Sequence, residues 1–209
     1  MYEQVSHSLL NRILDELKPD IRRRDLRHFY TRLGANFYAI YSLFHHLYGR
    51  RDDFQAQMVR LVEVMASRYI ERSAALKQLD IQREADHEWF LSQEWVGMAL
   101  YADGFAGNLK GLQAHLSYLL ELGVNMVHVM PILKCPRGAS DGGYAVSDFR
   151  DIDAKAGTLA DLQALAKDMR RRNMLLTLDV VVNHTSDEHA WAQRARAGDS
   201  HYQDYYYIF

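Results

Sequence analysis

The sequence predicts an α/β protein in which an all-helical N-terminal domain, residues 1–90, precedes a parallel β-α-β-α-β arrangement over residues 91–209. Two observations support this division. Apolar residues recur at helical spacing through the first ninety or so positions, and no strand-like alternation lasts there. From Trp95 onwards, three short apolar runs alternate with two helical patterns. That order implies right-handed crossovers and a parallel sheet whose strands are buried on both faces.

The N-terminal domain is expected to consist of amphipathic helices. The first has an apolar residue at every fourth position and should end at Pro19. Further helices are expected with glycines between them, over Asp20 to about Leu33, Ala35 to Tyr48 and Asp53 to about Leu76. Their many aromatic side chains are interpreted as packing, because no basic groove accompanies them to form a base-stacking surface.

The first β-α-β unit begins with a strand in WVGMALYAD, residues 95–103. A leucine-rich helix follows over residues 109–120, and Gly123 is placed to end it as a C′ glycine. VNMVHVMPIL, residues 124–133, then predicts a second strand that Pro131 stops.

The second β-α-β unit contains a long irregular connection between Pro131 and Gly157. Thr158 and Asp161 form a capping-box pattern that predicts the start of the next helix, and a third strand is expected over about 174–182. Loops longer than roughly 12 to 15 residues are usually functional or disordered. This one leaves the C-terminal end of a parallel strand, where α/β folds bind their ligands.

Five polar residues at this edge of the sheet are the candidate site. Asp141 and Tyr144 lie in the long loop, beside two glycines that permit a sharp turn. Asn183 and His184 close the third strand and should face the same mouth, with Asp179 deeper and bracing the loop. Spacing alone leaves a second interpretation open, in which His184 caps the strand and Asp179 is a satisfied core polar group.

Composition excludes several classes of function. The 209 residues include 25 Lys and Arg and 27 Asp and Glu. The resulting net charge of −2 favours neither nucleic acid nor an anionic membrane surface as a partner. Cys135 is the single cysteine, no signal-like N-terminus is present, and no apolar run approaches the roughly 20 residues of a membrane span. A soluble cytoplasmic protein is therefore expected.

Two further kinds of site are disfavoured by spacing. His184 and His189 are five residues apart, which is not the i, i+4 spacing that places two imidazoles on one helix face to bind zinc. The turn after the first strand, YADGFAGNL, matches neither the dinucleotide-binding nor the P-loop glycine pattern. A nucleotide-binding fold is therefore a weak alternative.

Several segments together resemble a known family. DVVVNH, residues 179–184, resembles the first signature of the α-amylase superfamily, glycoside hydrolase family 13, at the end of the third barrel strand. MPILKCPRGASDGGYAVSDFRDID, residues 130–153, more closely resembles the second-strand loop of the amylosucrases of that family. NHTSDEHAWAQRA and DYYYIF continue the resemblance, as does the helical N-terminal region.

The resemblance implies a (β/α)8 TIM barrel, of which this chain would hold the first three strands, so that the barrel is incomplete within it. It also implies retaining glucosyl transfer from sucrose, through a covalent glucosyl-enzyme, to an α-glucan acceptor or to water. The family's nucleophile and acid/base carboxylates would lie beyond Phe209, so no catalytic residue is assigned here and the 209 residues alone are expected to be inactive and poorly soluble.

By matching position, the resemblance implies roles for the candidate residues. His184 would hydrogen-bond the glucosyl hydroxyls, Tyr144 would stack under the glucose, and Asp141 would close the pocket floor with an arginine from further along the chain. Asp179 and Asn183 would be architectural. The residue matching Asn183 binds calcium in many α-amylases, but amylosucrases resemble the calcium-free branch, so neither metal nor cofactor is expected.

Two alternatives stay open at this point. A sucrose hydrolase would share all these motifs and differ in passing the glucosyl unit to water. A non-enzymatic truncated product is a second possibility, although the long unpaired edge of a three-stranded sheet invites aggregation and argues against a stable module. The oligomeric state is not predicted.

Overall fold

The protein divides into two compact units, residues 1–89 and residues 90–209. The computed structural model describes residues 2–17 and 24–208. Each unit has a hydrophobic core of its own. The element order, helices first and then strands that alternate with helices, agrees with the order predicted from the sequence.

The described residues of the first unit form helices joined by short turns. Its α-helices are α1 Tyr2–Leu17, α2 Arg24–Tyr48, α3 Phe54–Glu71 and α4 Ala74–Ala85, and a short 3₁₀ helix, Trp89–Leu91, follows. The predicted stop at Pro19 and the predicted helix start at Asp20 lie outside the described residues.

Two predicted boundaries in this unit are wrong. Helix α2 runs through Gly34, where the sequence predicted an interruption. A glycine inside a helix costs about 1 kcal/mol in propensity relative to alanine. Burial of Leu33 and Phe37 on either side of Gly34 offsets that cost, so the helix continues. The helix predicted to reach Leu76 ends instead at Glu71, because Arg72 is extended and the Ser73 hydroxyl caps α4 by accepting from the Leu76 amide.

Aromatic packing in the first unit agrees with the interpretation from spacing. Phe37 and Tyr41 are buried in its core together with Ile13 and Met58. The rings of Tyr41 and Phe54 meet edge to face with their centroids 5.6 Å apart, an arrangement that adds to the stabilisation from apolar burial.

The second unit is built on a parallel sheet of order β1-β2-β5. Its strands are β1 Gly97–Leu100, β2 Met126–Val129 and β5 Leu175–Leu178, while β3 Leu133–Lys134 and β4 Asp148–Ile152 pair antiparallel within the long loop. Gly97 pairs with Met126, and Met126 pairs with Leu175. The C-terminal ends of the three parallel strands therefore share one edge.

The helices of the second unit are α5 Ala102–Ala106, α6 Leu109–Ala114, α7 Leu116–Glu121, α8 Leu159–Arg171, α9 Ala190–Arg196 and α10 Ser200–Gln203. The predicted leucine-rich helix is therefore broken at His115, whose ring Nδ1 lies 2.8 Å from the Gly111 carbonyl oxygen. Gly123 has the positive φ of 82° expected of a C′ glycine. The capping box of Thr158 and Asp161 is confirmed at the start of α8.

The two faces of the parallel sheet differ. Val127 and Val129 are fully buried against the leucine-rich helices and α8. On the opposite face Ala99 and Thr177 are exposed and His128 is half-buried. The prediction of burial on both faces is therefore wrong for the described residues, because the side that carries these small and polar residues is open to solvent at Ala99 and Thr177.

Strand β5 is shorter than predicted. It ends at Leu178, although the apolar run continues to Val182. Val181 is buried, but Val180 and Val182 are 70% and 86% exposed. Within the described residues β5 pairs with β2 on one side alone, so nothing holds the end of the run in a ladder.

Candidate active site

The loop between β2 and α8 turns sharply at the edge of the sheet. Asp141, Gly142 and Gly143 form a 3₁₀ turn in which all three residues have positive φ, at 47°, 66° and 98°. A β-carbon at Gly143 would lie 3.0 Å from both the β-carbon and the carbonyl oxygen of Pro131. Glycine at this position therefore lets the turn pack directly against the end of β2.

A cysteine fastens the two arms of this loop. The Cys135 thiol donates to the Gly143 carbonyl at 3.1 Å, and its backbone amide donates to the Asp153 carboxylate at 3.4 Å. Burial, with a smaller contribution from the charge of Asp153, raises the pKa of the Cys135 thiol. The thiol therefore stays protonated and acts as a hydrogen-bond donor.

Asp179 joins the loop to two strands. It follows β5 directly, and its side chain is 23% exposed. The Asp179 Oδ1 lies 3.1 Å from Nε2 of His128 in β2, and its Oδ2 accepts a hydrogen bond from the Tyr144 hydroxyl at 3.3 Å. The carboxylate thus bridges β2 and the long loop with one oxygen for each.

Tyr144 is the loop residue that reaches this carboxylate. Desolvation raises the pKa of the Tyr144 hydroxyl first, and the negative charge of Asp179 and the hydrogen bond to it raise it further. The hydroxyl is therefore protonated at neutral pH and serves as the donor. A β-carbon at Gly142 would lie 3.9 Å from the Tyr144 ring and 3.4 Å from the hydroxyl of Tyr101, so the turn passes between the two tyrosines.

The other predicted residues are not brought into this cluster. Asp141 is exposed, and its carbonyl oxygen accepts from the Tyr144 amide at 3.2 Å. Asn183 and His184 are exposed in the irregular segment after β5. Among the described residues neither of their side chains makes a hydrogen bond, so both are available to solvent or to a ligand.

The chain beyond His184 packs back on the long loop. The Ser186 amide donates to the Val146 carbonyl at 2.9 Å, and the buried His189 ring lies 5.4 Å from the Phe149 ring. His189 also caps α9, since its Nδ1 accepts from the Trp191 amide, and burial lowers its pKa. No group of three or more residues able to hold a metal ion occurs among the described His, Cys, Asp and Glu side chains.

Two residues of the site, Tyr101 and His128, were not predicted from the sequence. Tyr101 follows β1, and His128 lies within β2 between two buried valines. His128 shows the same pattern that indicated Asp179, a polar residue inside an apolar strand. The contact between them needs the parallel register, which places His128 opposite Thr177 and one pleat before Asp179.

Comparison with protein families decides the classification of the chain. Residues 48–209 match the catalytic domain of α-amylase. The chain belongs to the α-amylase family. The match to the α-amylase family begins at Tyr48, the last residue of α2, and so takes in α3 and α4 as well as the second unit.

Curated members of the α-amylase family resemble part of the chain. An oligo-1,6-glucosidase from Parageobacillus thermoglucosidasius is 46% identical over 101 residues, which are 48% of this chain and 18% of that protein. An α-glucosidase from Schizosaccharomyces pombe is 41% identical over 106 residues, 50% of this chain and 18% of that protein. The aligned part of the chain thus spans less than a fifth of the length of these relatives.

Solved structures extend the comparison. The isomaltulose synthase SmuA from Protaminobacter rubrum is 34% identical with a TM-score of 0.50, over 55% of this chain and 22% of that one. A mutant isomaltulose synthase from Erwinia rhapontici NX5, in complex with its natural substrate sucrose, gives the same values. The predicted fold class is confirmed: the helices are followed by three parallel strands of a partial α-amylase (β/α)8 barrel.

None of the described helices combines the length and apolar character that crossing a membrane requires.

Proposed function

We propose that this chain contributes the sugar-binding floor of a retaining, sucrose-using glucosyltransferase of the amylosucrase type. In this reaction a carboxylate attacks the glucosyl carbon, fructose leaves, and the covalent glucosyl-enzyme passes its sugar to an α-glucan or to water. The observation that carries the proposal is Tyr144, held by Asp179 at the C-terminal edge of the parallel strands, in a loop whose sequence resembles that of amylosucrases.

The proposed roles follow from what each side chain can reach. Tyr144 is half-buried and fixed through its hydroxyl, so its ring can serve as a platform for the apolar face of a glucosyl unit. His184 and Asp141 are exposed and can hydrogen-bond sugar hydroxyls. Asp179 and Asn183 are architectural in this proposal, the catalytic carboxylates lie beyond Phe209, and neither metal nor cofactor takes part. The proposal also keeps a cytoplasmic location.

Hydrolysis of α-glucosides is the second candidate. The supporting observation is the 46% identity to an oligo-1,6-glucosidase over 101 residues. The two candidates differ in products. A transferase given sucrose and an α-glucan lengthens the glucan and releases fructose, whereas a hydrolase releases glucose and fructose in equal amounts from sucrose, or cleaves isomaltose in preference to it.

The test compares His184→Ala with the matched variant His201→Ala in the full-length natural protein, with fructose release from sucrose as the measurement. We expect His184→Ala to lower turnover by about a hundredfold, which corresponds to about 3 kcal/mol of lost transition-state hydrogen bonding. His201 is exposed on α10, so its variant should retain wild-type turnover. Unchanged turnover in His184→Ala would mean that His184 caps the strand and does not bind the sugar.

A further inference from the structure

His128 occupies an unusual position in β2. Its neighbours Val127 and Val129 are fully buried on the helix-covered face of the sheet. The His128 side chain lies on the opposite face and is 32% exposed, and its Nε2 is 3.1 Å from Asp179 Oδ1. The imidazole of His128 therefore places a hydrogen-bond donor beside the largely buried carboxylate of Asp179.

The two carboxylate oxygens of Asp179 contact different residues, and this links His128 to Tyr144. With Oδ1 engaged by His128 and Oδ2 by the Tyr144 hydroxyl, the rotation of the carboxylate is fixed by both donors. Without the imidazole, the carboxylate is free to turn towards water, and the Tyr144 hydroxyl loses an acceptor of defined position. The orientation of Tyr144 therefore depends on a residue that it does not contact.

We propose that His128 is a positioning residue that acts through Asp179 to hold the Tyr144 ring in the orientation that supports a bound sugar. The part of this inference that concerns sugar rests on the proposed function. The part that concerns orientation stands on the three side chains alone. A residue that fixes a binding platform acts mainly on the geometry of substrate binding, and small displacements of such a platform are costly.

A double-mutant cycle tests the proposal in the full-length natural protein. The variants are His128→Phe, Tyr144→Phe and the double variant, with kcat/KM for sucrose as the measurement. Each single change should lower kcat/KM about tenfold, mainly through KM. The double variant should also be about tenfold lower, because both changes remove the same coupling. A hundredfold loss in the double variant, the product of the single effects, would overturn the proposal.

Two further variants separate positioning from packing. His128→Gln places an amide nitrogen near the former Nε2, so we expect it to stay within about threefold of wild type. Tyr205→Phe removes the hydroxyl of a tyrosine that is 46% exposed and should leave kcat/KM unchanged. If His128→Gln is as impaired as His128→Phe, the imidazole contributes packing and the proposal is wrong. Should His128→Phe fail to fold, His128→Leu takes its place in the cycle.

A readout that is independent of turnover separates this proposal from the proposed function. Crystal structures of the unliganded wild-type and His128→Phe proteins should show the Tyr144 ring ordered against Asp179 in the first and displaced or disordered in the second. If that difference appears in a protein that does not use sucrose, the proposed function fails and the positioning role stands. An unchanged Tyr144 ring would overturn the positioning role whatever the substrate.

Discussion

Two segments leave the same edge of the parallel sheet and differ in how they are held. The loop after β2 is fixed by its own contacts: the β3–β4 pair, the Cys135 thiol, and Gly143 against Pro131. The segment directly after β5 has Val180 and Val182 largely exposed and ends in the exposed Asn183 and His184.

The contrast between the loop and the segment shows that a binding-site residue can be held in place by contacts within its own stretch of chain. The loop closes on itself and on the strand that precedes it, so its shape is encoded within one stretch of chain. The segment after β5 continues a strand whose outer edge has no partner strand within residues 2–17 and 24–208. A fixed platform and an unsupported hydrogen-bonding residue should therefore respond differently to substitution.

Within the loop after β2, the largest effect on catalysis is expected from removing the platform. Tyr144→Ala should lower kcat/KM for sucrose in the full-length natural protein by at least about thirtyfold, or about 2 kcal/mol, since it deletes the ring that Asp179 orients. Tyr205→Ala is the matched control, because Tyr205 is exposed and its hydroxyl contacts His201 rather than the loop. Equal losses in the two variants would mean that the loop does not form the pocket floor.

The largest effect on stability is expected at the turn that carries the platform. Gly143→Ala should destabilise the full-length natural protein by about 3 kcal/mol in urea unfolding, because its β-carbon would meet Pro131 and its φ is 98°. Gly138→Ala controls for the left-handed conformation alone, since its φ is 77° and nothing lies within 4 Å of the added carbon. Its expected cost is about 1 kcal/mol. If the urea midpoints of Gly143→Ala and Gly138→Ala were equal, the contact with Pro131 would not restrict the residue at position 143.

The smallest effect, close to zero, is expected from a chelator. The resemblance to the calcium-free branch predicts that adding EDTA shifts the melting temperature by less than about 1 °C, as expected for a protein without a bound ion whose loss would destabilise the native state. The measurement is a thermal melt with and without EDTA, followed by addition of calcium. A melting temperature that falls with chelator and recovers with calcium would restore Asn183 as a candidate metal ligand.

Most of the fold could be predicted from the sequence because its signals are local. Helical periodicity, the capping box at Thr158 and the C′ glycine at Gly123 each depend on a few neighbouring residues. The boundaries that were wrong depend on tertiary context. Helix α2 continues through Gly34 because Leu33 and Phe37 on either side of it are buried in the core of the first unit. Strand β5 stops at Leu178 because its outer edge has no partner among the described residues.

Two members of the polar cluster could be predicted from the sequence. Asp179 and Tyr144 stood out because a carboxylate interrupts an apolar strand and a glycine pair precedes the tyrosine. His128 was missed because its partner lies 51 residues away, and strand register decides that distance in space.

The long loop has a consequence for how the fold can be elaborated. Pairing β1 with β2 closes about 30 residues of chain, and pairing β2 with β5 closes about 50. Because the entropy of closing a flexible loop grows with the logarithm of its length, the longer connection costs the sheet about 0.5 kcal/mol more than the shorter one. Extra chain can thus be inserted at this edge at little thermodynamic cost, which leaves its sequence free to diverge into binding surfaces while the sheet beneath keeps its register.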